Sequence, residues 1–216
     1  MTQNERREWL IDYLLQEHKK LLPIPKDKQG EENLLRSLMN IRMPMPISDD
    51  FLRIQDEYLQ ERNKERGIID LKELTPLASN SRLYILQGDI TTLKCDAIVN
   101  ACNSQMLGCF SPVHACIDNF IHTYAGVQLR LKMNEIMQEQ GHEEPTGQAK
   151  ITHGYNLPAK YILHTVGPII QWRVTEKEEK LLASCYRECL KLAAENGVES
   201  IAFCCLSTGV SRFHNS

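Results

Sequence analysis

The sequence lacks a long apolar run. The longest charge-free stretches, residues 97–113 and 161–172, are too short or too rich in Asn, Ser, Gln and Pro to cross a bilayer. Residues 1–8 mix acidic and basic side chains and precede a short amphipathic stretch, so they do not resemble a secretory signal. These absences argue against a membrane or secreted protein, and we expect a cytoplasmic one.

The sequence also lacks an excess of basic residues. Lys and Arg total 25 against 28 Asp and Glu, which gives a net charge of −3. A nucleic-acid-binding protein normally carries a basic patch for the phosphate backbone, and none is evident here. The length of 216 residues suits one domain, or one domain with an extension. We expect a monomer.

Cysteine and glycine are scarce in the first eighty residues. None of the 8 cysteines and only two of the 11 glycines, Gly30 and Gly67, fall there. Tight turns and close backbone approaches are therefore expected in the second part of the chain. Without a signal sequence the cysteines should be reduced, which favours thiols or a metal site over disulfides.

The same first eighty residues show helical periodicity. Apolar residues recur every three or four positions in three stretches, which predicts three amphipathic helices separated by proline pairs. Ser48, followed by two aspartates, is typical of a helix N-cap. We interpret residues 1–80 as a helical extension that covers the main domain, with a separate recognition module as the alternative. The stretches are residues 9–14, 34–38 and 51–59.

From residue 81 to 216 the pattern changes to short apolar runs separated by helical segments. Such runs are typical of buried strands, and their alternation with helices predicts an α/β domain. The last helix should end at Asn196-Gly197. The predicted strands are residues 83–86, 97–99, 161–163 and 201–205, and the predicted helices are residues 117–128, 129–140 and 176–196.

One nearly uncharged stretch contains the strongest candidates for chemistry. Between Asp96 and Arg130 the only charged side chain is Asp118, and Cys109, His114 and Cys116 lie close to it in sequence. Two thiols and one imidazole suit zinc, and a site with three protein ligands leaves a position for water or substrate.

Two other readings of these residues remain open. The thiols could be small core side chains with His114 in an ordinary turn. Alternatively, Cys102 or His122 could complete a closed, structural metal site.

Two further loops each follow a predicted strand. Residues 207–210 read Ser-Thr-Gly-Val, and the backbone amides of such a turn can hold phosphate. Gly88-Asp89-Ile90 by itself reads as a plain turn, with Asp89 capping the backbone. Neither loop is informative alone.

In order and spacing, the segments from Leu83 to Val210 together resemble the macrodomain family. The insertion at residues 107–122 replaces the glycine-rich loop of ordinary macrodomains and resembles the zinc-dependent bacterial branch. The helical extension is similar to that branch too. The segments are Gly88-Asp89-Ile90, residues 97–103, Gly147-Gln148-Ala149, residues 161–168 and Ser207-Thr208-Gly209-Val210.

The resemblance implies a three-layer α/β/α sandwich that binds ADP-ribose. It also implies zinc-dependent hydrolysis of mono-ADP-ribose from modified proteins, at acidic side chains. Members of the branch are often encoded beside a sirtuin-like ADP-ribosyltransferase and a lipoyl-carrier protein, which makes such a carrier the expected substrate. The alternatives are a non-catalytic ADP-ribose reader and an inactive fragment stabilised by zinc.

The resemblance also assigns roles to individual residues. The predicted catalytic residues are Asp118, as the group that activates water, and Asn103. The remaining assignments are Asp89 and Ile90 at the adenine, Asn100 and Asn103 at the distal ribose, Ser207, Thr208, Gly209 and Val210 around the diphosphate, Phe213 near the ribose and diphosphate, and Cys109, His114 and Cys116 as zinc ligands.

The sequence departs from the family pattern after Val210. The family usually continues with aromatic residues and a proline, then a helix, a strand and a closing helix, whereas residues 211–216 read Ser-Arg-Phe-His-Asn-Ser. The expectation is therefore a macrodomain truncated at its carboxyl terminus, with an incompletely covered sheet and reduced stability.

Overall fold

The structure is a computed structural model that describes residues 1–19, 22–170 and 173–207. Within these ranges no helix is long and apolar enough to span a bilayer. The described helices are α1 (Gln3–Glu17), α2 (Lys28–Ile41), α3 (Asp49–Glu65), α4 (Ile117–Ala125), α5 (Val127–Gln140) and α6 (Glu176–Glu195), with short 3-10 helices at Leu71–Glu73 and Ile90–Thr92.

The strands of the described ranges form one four-stranded sheet and two short pairs. The pairs join the first strand to the fourth and the second to the third. The strands are β1 (Ile69–Asp70), β2 (Pro76–Leu77), β3 (Asn80–Tyr84), β4 (Leu93–Lys94), β5 (Ala97–Ala101), β6 (Ala149–His153), β7 (Tyr161–Thr165) and β8 (Ile201–Ala202).

The four-stranded sheet has the order β6-β7-β5-β8 and is covered on both faces. Strand β5 runs parallel to β7 and β8, and β6 is antiparallel to β7. Because side chains alternate along a strand, Ile98 points to one face and packs with Ile121 of α4 and Leu129 of α5. Val99 points to the other face, where it packs with Cys185 of α6. The predicted three-layer α/β/α sandwich is confirmed.

The amino-terminal helices form a core of their own and contact the start of α5. Leu10, Leu38 and Phe51 are buried in this core. The predicted cap is present, since the hydroxyl of Ser48 accepts a hydrogen bond from the backbone N–H of Phe51 at 3.2 Å. A helical cover docked on the sandwich is the arrangement predicted for this segment.

Helix α4 ends three residues earlier, and α5 begins two residues earlier, than the periodicity predicts. Gly126, with φ of +103°, separates them. A Cβ atom at this position would lie 2.6 Å from the Gln128 side chain and 2.7 Å from the Gln55 side chain. The close approach of α3 therefore requires glycine here, and the predicted bounds at residues 128 and 129 were wrong.

The predicted buried strand at residues 83–86 is also wrong. The observed strand β3 ends at Tyr84, pairs with β2 and lies outside the four-stranded sheet, so Leu83 is 53% exposed. Ile85 lies just after β3 and is 75% exposed. An apolar run indicates a strand, but burial needs a layer on each side. In the described residues the sheet ends at β8, whose strand covers only two of the five predicted positions.

Asp96 forms hydrogen bonds to the two residues that precede β8 and to Lys160, which precedes β7. Its carboxylate accepts hydrogen bonds from Lys160 Nζ at 2.6 Å, from the Ser200 hydroxyl at 2.9 Å, and from the backbone N–H groups of Ser200 and Glu199 at 3.0 and 3.1 Å. These bonds, that from Lys160 first, lower the pKa of Asp96 to about 2.

We expect Asp96→Asn to lower the free energy of unfolding at pH 7 by up to about 2 kcal/mol. A carboxyl group with a depressed folded-state pKa stabilises the fold above its unfolded pKa near 4, and that contribution is lost as the pH falls towards 2. Urea unfolding at pH 7 and pH 2.5 should therefore show a gap between wild type and variant that narrows in acid. Equal stability of the two proteins at pH 7 would contradict this prediction.

Candidate functional site

A buried amide–carboxylate pair joins the end of β5 to the beginning of α4. Asn100 Nδ2 donates a hydrogen bond to Asp118 Oδ1 at 2.8 Å, and Asp118 is only 5% exposed. Burial raises the pKa of Asp118 to about 6, although the Asn100 hydrogen bond lowers it. The site therefore contains a carboxylate whose proton affinity is close to that needed for general base chemistry at neutral pH.

His164 of β7 fixes the orientation of Asn100 from the other side. Its Nδ1 lies 3.3 Å from Asn100 Nδ2, and its Nε2 lies 2.9 Å from Thr152 Oγ1. Burial lowers the pKa of His164 to about 3, so the ring is neutral. In this neutral ring Nδ1 accepts a hydrogen bond from Asn100, and Nε2–H donates one to Thr152. Asn100 then donates one amide hydrogen to His164 and the other to Asp118.

His122 lies one helical turn after Asp118. Its Nε2 is 3.6 Å from Asp118 Oδ1, but burial lowers the pKa of His122 well below its ordinary value. The neutral ring therefore forms no ion pair with the carboxylate. Gly108 packs against this ring, since a Cβ atom there would lie 2.7 Å from the ring Cγ, and its φ of +83° also favours glycine.

Cys109, His114 and Cys116 come together at the beginning of α4. Cys109 Sγ lies 3.7 Å from His114 Nδ1, and all three ligand atoms lie within 4.8 Å of one another. Ligand atoms about 2.0 to 2.3 Å from a tetrahedral zinc lie roughly 3.3 to 3.8 Å apart. The Cys109–His114 distance falls in this range, whereas the 4.8 Å limit for the whole group is wider. Neither Cys102 nor His122 joins this group within the described residues.

Cys116 also has a role in the fold, because it is the N-cap of α4. Its Sγ accepts a hydrogen bond from the backbone N–H of Asn119 at 3.4 Å. The strand-loop-helix connection thus places this thiol two residues before Asp118. Burial raises the pKa of Cys116 to about 11, so the thiol is protonated unless a metal displaces its proton.

Asp89 caps the 3-10 helix that begins at Ile90. Its Oδ1 accepts hydrogen bonds from the backbone N–H and hydroxyl of Thr91 at 2.9 and 2.6 Å, and its Oδ2 pairs with Arg66. The Arg66 guanidinium in turn stacks 3.4 Å from the centre of the Tyr124 ring. Asp89 is thus rigidly held, yet its side chain is 39% exposed and open to a further donor.

A large cleft brings the predicted adenine residues and one predicted metal ligand to the same surface. Asp89, Ile90 and Cys116 all line this cleft, which has a volume of about 1250 Å³ and extends between β3 and β8. Asn103 lies elsewhere and is exposed. Its side chain accepts from the N–H groups of residues 105 and 106 at 3.1 Å and so closes its own turn.

Ser207 is the last described residue of the predicted diphosphate loop. It is 6% exposed, has φ of +60°, and its buried hydroxyl has no hydrogen-bond partner within the described residues. Gly167 approaches it closely, because a Cβ atom at that glycine would lie 2.2 Å from Ser207 Oγ. The remaining predicted contacts, Thr208, Gly209, Val210 and Phe213, lie outside the described residues.

Comparison with known families assigns the chain. The family model of the Macro domain matches residues 99–216. The chain belongs to the macrodomain family. It is 60% identical to the protein-ADP-ribose hydrolase of Treponema medium over 217 residues, which cover 99% of this chain and 83% of that protein.

Two solved macrodomains are similar in structure as well. The Trypanosoma brucei macrodomain in complex with ADP-ribose is 30% identical, with a TM-score of 0.60 over 82% of this chain and 75% of that one. The Oceanobacillus iheyensis macrodomain with ADP is 41% identical, with a TM-score of 0.52 over 58% of this chain. The match covers 64% of the latter protein, less than two thirds of its length.

Several residues around this site were not predicted from the sequence. His164 follows the apolar Leu163 in β7, whereas Thr152 lies in a strand that also contains Lys150 and His153, so its polarity gives no signal. Arg66 reaches Asp89 across 23 positions, and no local pattern indicates that contact. The Cys109, His114 and Cys116 residues that were predicted from ligand chemistry do come together, and Asp118 follows Cys116 by two residues.

Proposed function

We propose that this macrodomain hydrolyses ADP-ribose from modified proteins. The similarity to the Treponema medium protein-ADP-ribose hydrolase over 99% of the chain supports the activity, and the Trypanosoma brucei complex supports ADP-ribose as the ligand. The observation that carries the proposal is the buried Asn100–Asp118 pair, in which Asp118 follows Cys116 of the Cys109, His114 and Cys116 group by two residues. A carboxylate that is held in place by a hydrogen bond, close in sequence to three possible metal ligands, is suited to the activation of water.

We further propose that the site is zinc-dependent and acts on mono-ADP-ribose esterified to Asp or Glu. Cys109, His114 and Cys116 would hold the ion. The chemistry that zinc supplies in a three-ligand site is polarisation of an oxygen atom. Asn100 holds the Asp118 carboxylate, and Asp118 accepts a proton from the attacking water. The water oxygen bonds to the anomeric carbon, the bond from that carbon to the side-chain oxygen breaks, and a carboxylate leaves.

The cleft would bind the adenosine end of the ligand. In this proposal Asp89 accepts a hydrogen bond from the adenine amino group, Ile90 supplies a backbone amide, and the loop beginning at Ser207 surrounds the diphosphate. AMP would satisfy only the adenine end, so ADP-ribose should bind more tightly. The family resemblance adds a lipoyl-carrier protein as the candidate substrate and a sirtuin-like transferase as the source of the modification.

The direct test is release of free ADP-ribose from a protein mono-ADP-ribosylated on carboxylate side chains. We expect the zinc-loaded chain to release ADP-ribose and to bind it in calorimetry more tightly than AMP. Binding without release would instead identify a non-catalytic reader. Absence of both binding and release would overturn the proposal.

We expect Asp89→Asn to weaken ADP-ribose and AMP binding by about ten- to a hundredfold. The asparagine oxygen can still cap the 3-10 helix in place of Oδ1, but an amide nitrogen replaces Oδ2. Oδ2 is the oxygen that pairs with Arg66 and that would accept from the adenine amino group. A hydrogen bond to a charged group contributes roughly 1.5 to 3 kcal/mol, which sets this range. Calorimetric titration of both nucleotides measures the effect.

Asp70→Asn provides a matched control for this substitution. Asp70 caps the other short 3-10 helix through the N–H of Lys72 at 3.1 Å and does not line the cleft. This variant should bind both nucleotides like the wild type. Equal losses in the two variants would mean that capping, and not adenine recognition, explains the effect.

A further inference from the structure

The residue before His114 has an unfavourable backbone conformation. Val113 has φ of +55°, in the left-handed region. A β-branched residue is rarely found there, because its side chain crowds the backbone. Such a conformation persists only where surrounding contacts hold it. The loop that presents Cys109 and His114 therefore needs external support to keep its shape.

Asn40 of α2 supplies part of that support. Its Oδ1 accepts a hydrogen bond from the backbone N–H of Val113 at 3.1 Å, and its Nδ2 donates to Thr123 Oγ1 at 3.1 Å. Asn40 is only 1% exposed, so water does not compete for these bonds. The contact to α4 fixes which way the Asn40 amide faces.

Arg36 lies one turn earlier on the same helix and holds the loop at two further points. Its Nη2 donates to the His114 carbonyl at 2.9 Å, and its Nε and Nη2 donate to Asn119 Oδ1 at 3.1 and 2.7 Å. The Asn119 amide then donates to the Ser111 carbonyl at 2.9 Å. The guanidinium also stacks 4.3 Å from the centre of the Phe120 ring.

The carboxyl end of α2 is itself fixed to the same loop. Arg130 of α5 donates to the carbonyls of Asn40 and Arg42 at 2.8 and 2.7 Å, and to the Leu107 carbonyl at 2.7 Å. One guanidinium thus joins the end of α2 to the start of the loop. Helix α2 cannot shift relative to the loop without breaking these bonds.

We propose that α2 is a positioning element of the metal site, in which Arg36 and Asn40 hold Cys109 and His114 in their ligating arrangement. The inference rests on the proposed zinc site. It gives the amino-terminal extension a function beyond covering the sandwich, because a helix from residues 1–80 determines the geometry of ligands in the macrodomain. Arg36 and Asn40 touch neither the ligand atoms nor the cleft, so both are positioning residues.

The test measures the affinity of the protein for zinc by competition with a chromophoric chelator, without ADP-ribose. Loss of groups that orient metal ligands typically costs ten- to a hundredfold in metal affinity. We expect Asn40→Ala and Arg36→Lys each to weaken zinc binding by about tenfold or more. Asn33→Ala, an exposed change of the same kind on α2, should bind zinc like the wild type.

A second substitution distinguishes positioning from general destabilisation. Glycine adopts positive φ without strain, so Val113→Gly removes the need for Asn40 to hold that conformation. We expect the double variant Asn40→Ala/Val113→Gly to regain most of the zinc affinity lost in Asn40→Ala. A loss of folding would not be repaired in this way, and thermal unfolding of the metal-free proteins provides the check.

Each outcome has a definite meaning. Equal zinc affinity of Asn40→Ala, Arg36→Lys and wild type would overturn the inference while leaving the zinc site intact. A loss that Val113→Gly does not restore, with a matching fall in melting temperature, would also overturn it. If wild-type protein binds zinc no better than Cys116→Ser, the proposed zinc site itself fails, and the positioning role fails with it.

Discussion

Exchange of Cys116 for serine is expected to abolish zinc binding and ADP-ribose release together. Cys116 Sγ is one of three candidate ligand atoms, and a neutral hydroxyl binds zinc far more weakly than the thiolate it would replace. Serine is also a preferred N-cap, so the bond to the Asn119 N–H at the start of α4 is retained. Elemental analysis of zinc, run in parallel with the release assay, measures both losses.

Cys102→Ser is the matched control. Cys102 lies on the same connection, but its Sγ contacts Asn100 O at 3.5 Å and His164 Nδ1 at 3.8 Å instead of joining the metal group. This variant should retain zinc. Full activity of Cys116→Ser, or of wild-type protein stripped of metal, would overturn the zinc proposal and leave these thiols as ordinary small side chains.

The sequence predicts the components of the site better than their connections. Asp118 is the only charge in its stretch, and two thiols with an imidazole have a recognisable ligand chemistry, so both were found from local spacing. The parallel strands then bring their carboxyl ends to one edge, which places Asn100 next to His164. That adjacency joins residues 64 positions apart and has no local signature.

The unpredicted features depend on burial and long-range contact. Periodicity shows which faces of α2 and α3 are apolar, but not that Arg36 reaches a carbonyl 78 positions away. Composition likewise indicates a strand at residues 83–86 without showing whether another layer covers it. The observed exposure of Leu83 follows from the position of β3 outside the four-stranded sheet.

Asp118→Asn should reduce turnover by about a hundredfold or more while leaving zinc content and ADP-ribose affinity unchanged. The asparagine side chain is nearly isosteric and can still accept the Asn100 hydrogen bond, so the loop and the metal group keep their shape. What is lost is the capacity to accept a proton from water, and general base catalysis typically contributes a factor of 10² to 10⁴. Single-turnover release of ADP-ribose measures this step directly.

Glu144→Gln separates loss of catalysis from loss of a buried charge. The Glu144 side chain is 3% exposed and pairs with Lys150 at 2.8 Å, so its neutralisation also removes a buried carboxylate. This variant is expected to lose stability, because Lys150 is left unpaired, but to retain near wild-type turnover below its melting temperature. If Asp118→Asn instead lost zinc or ADP-ribose binding in proportion to its activity, Asp118 would hold the site together and another group would have to activate water.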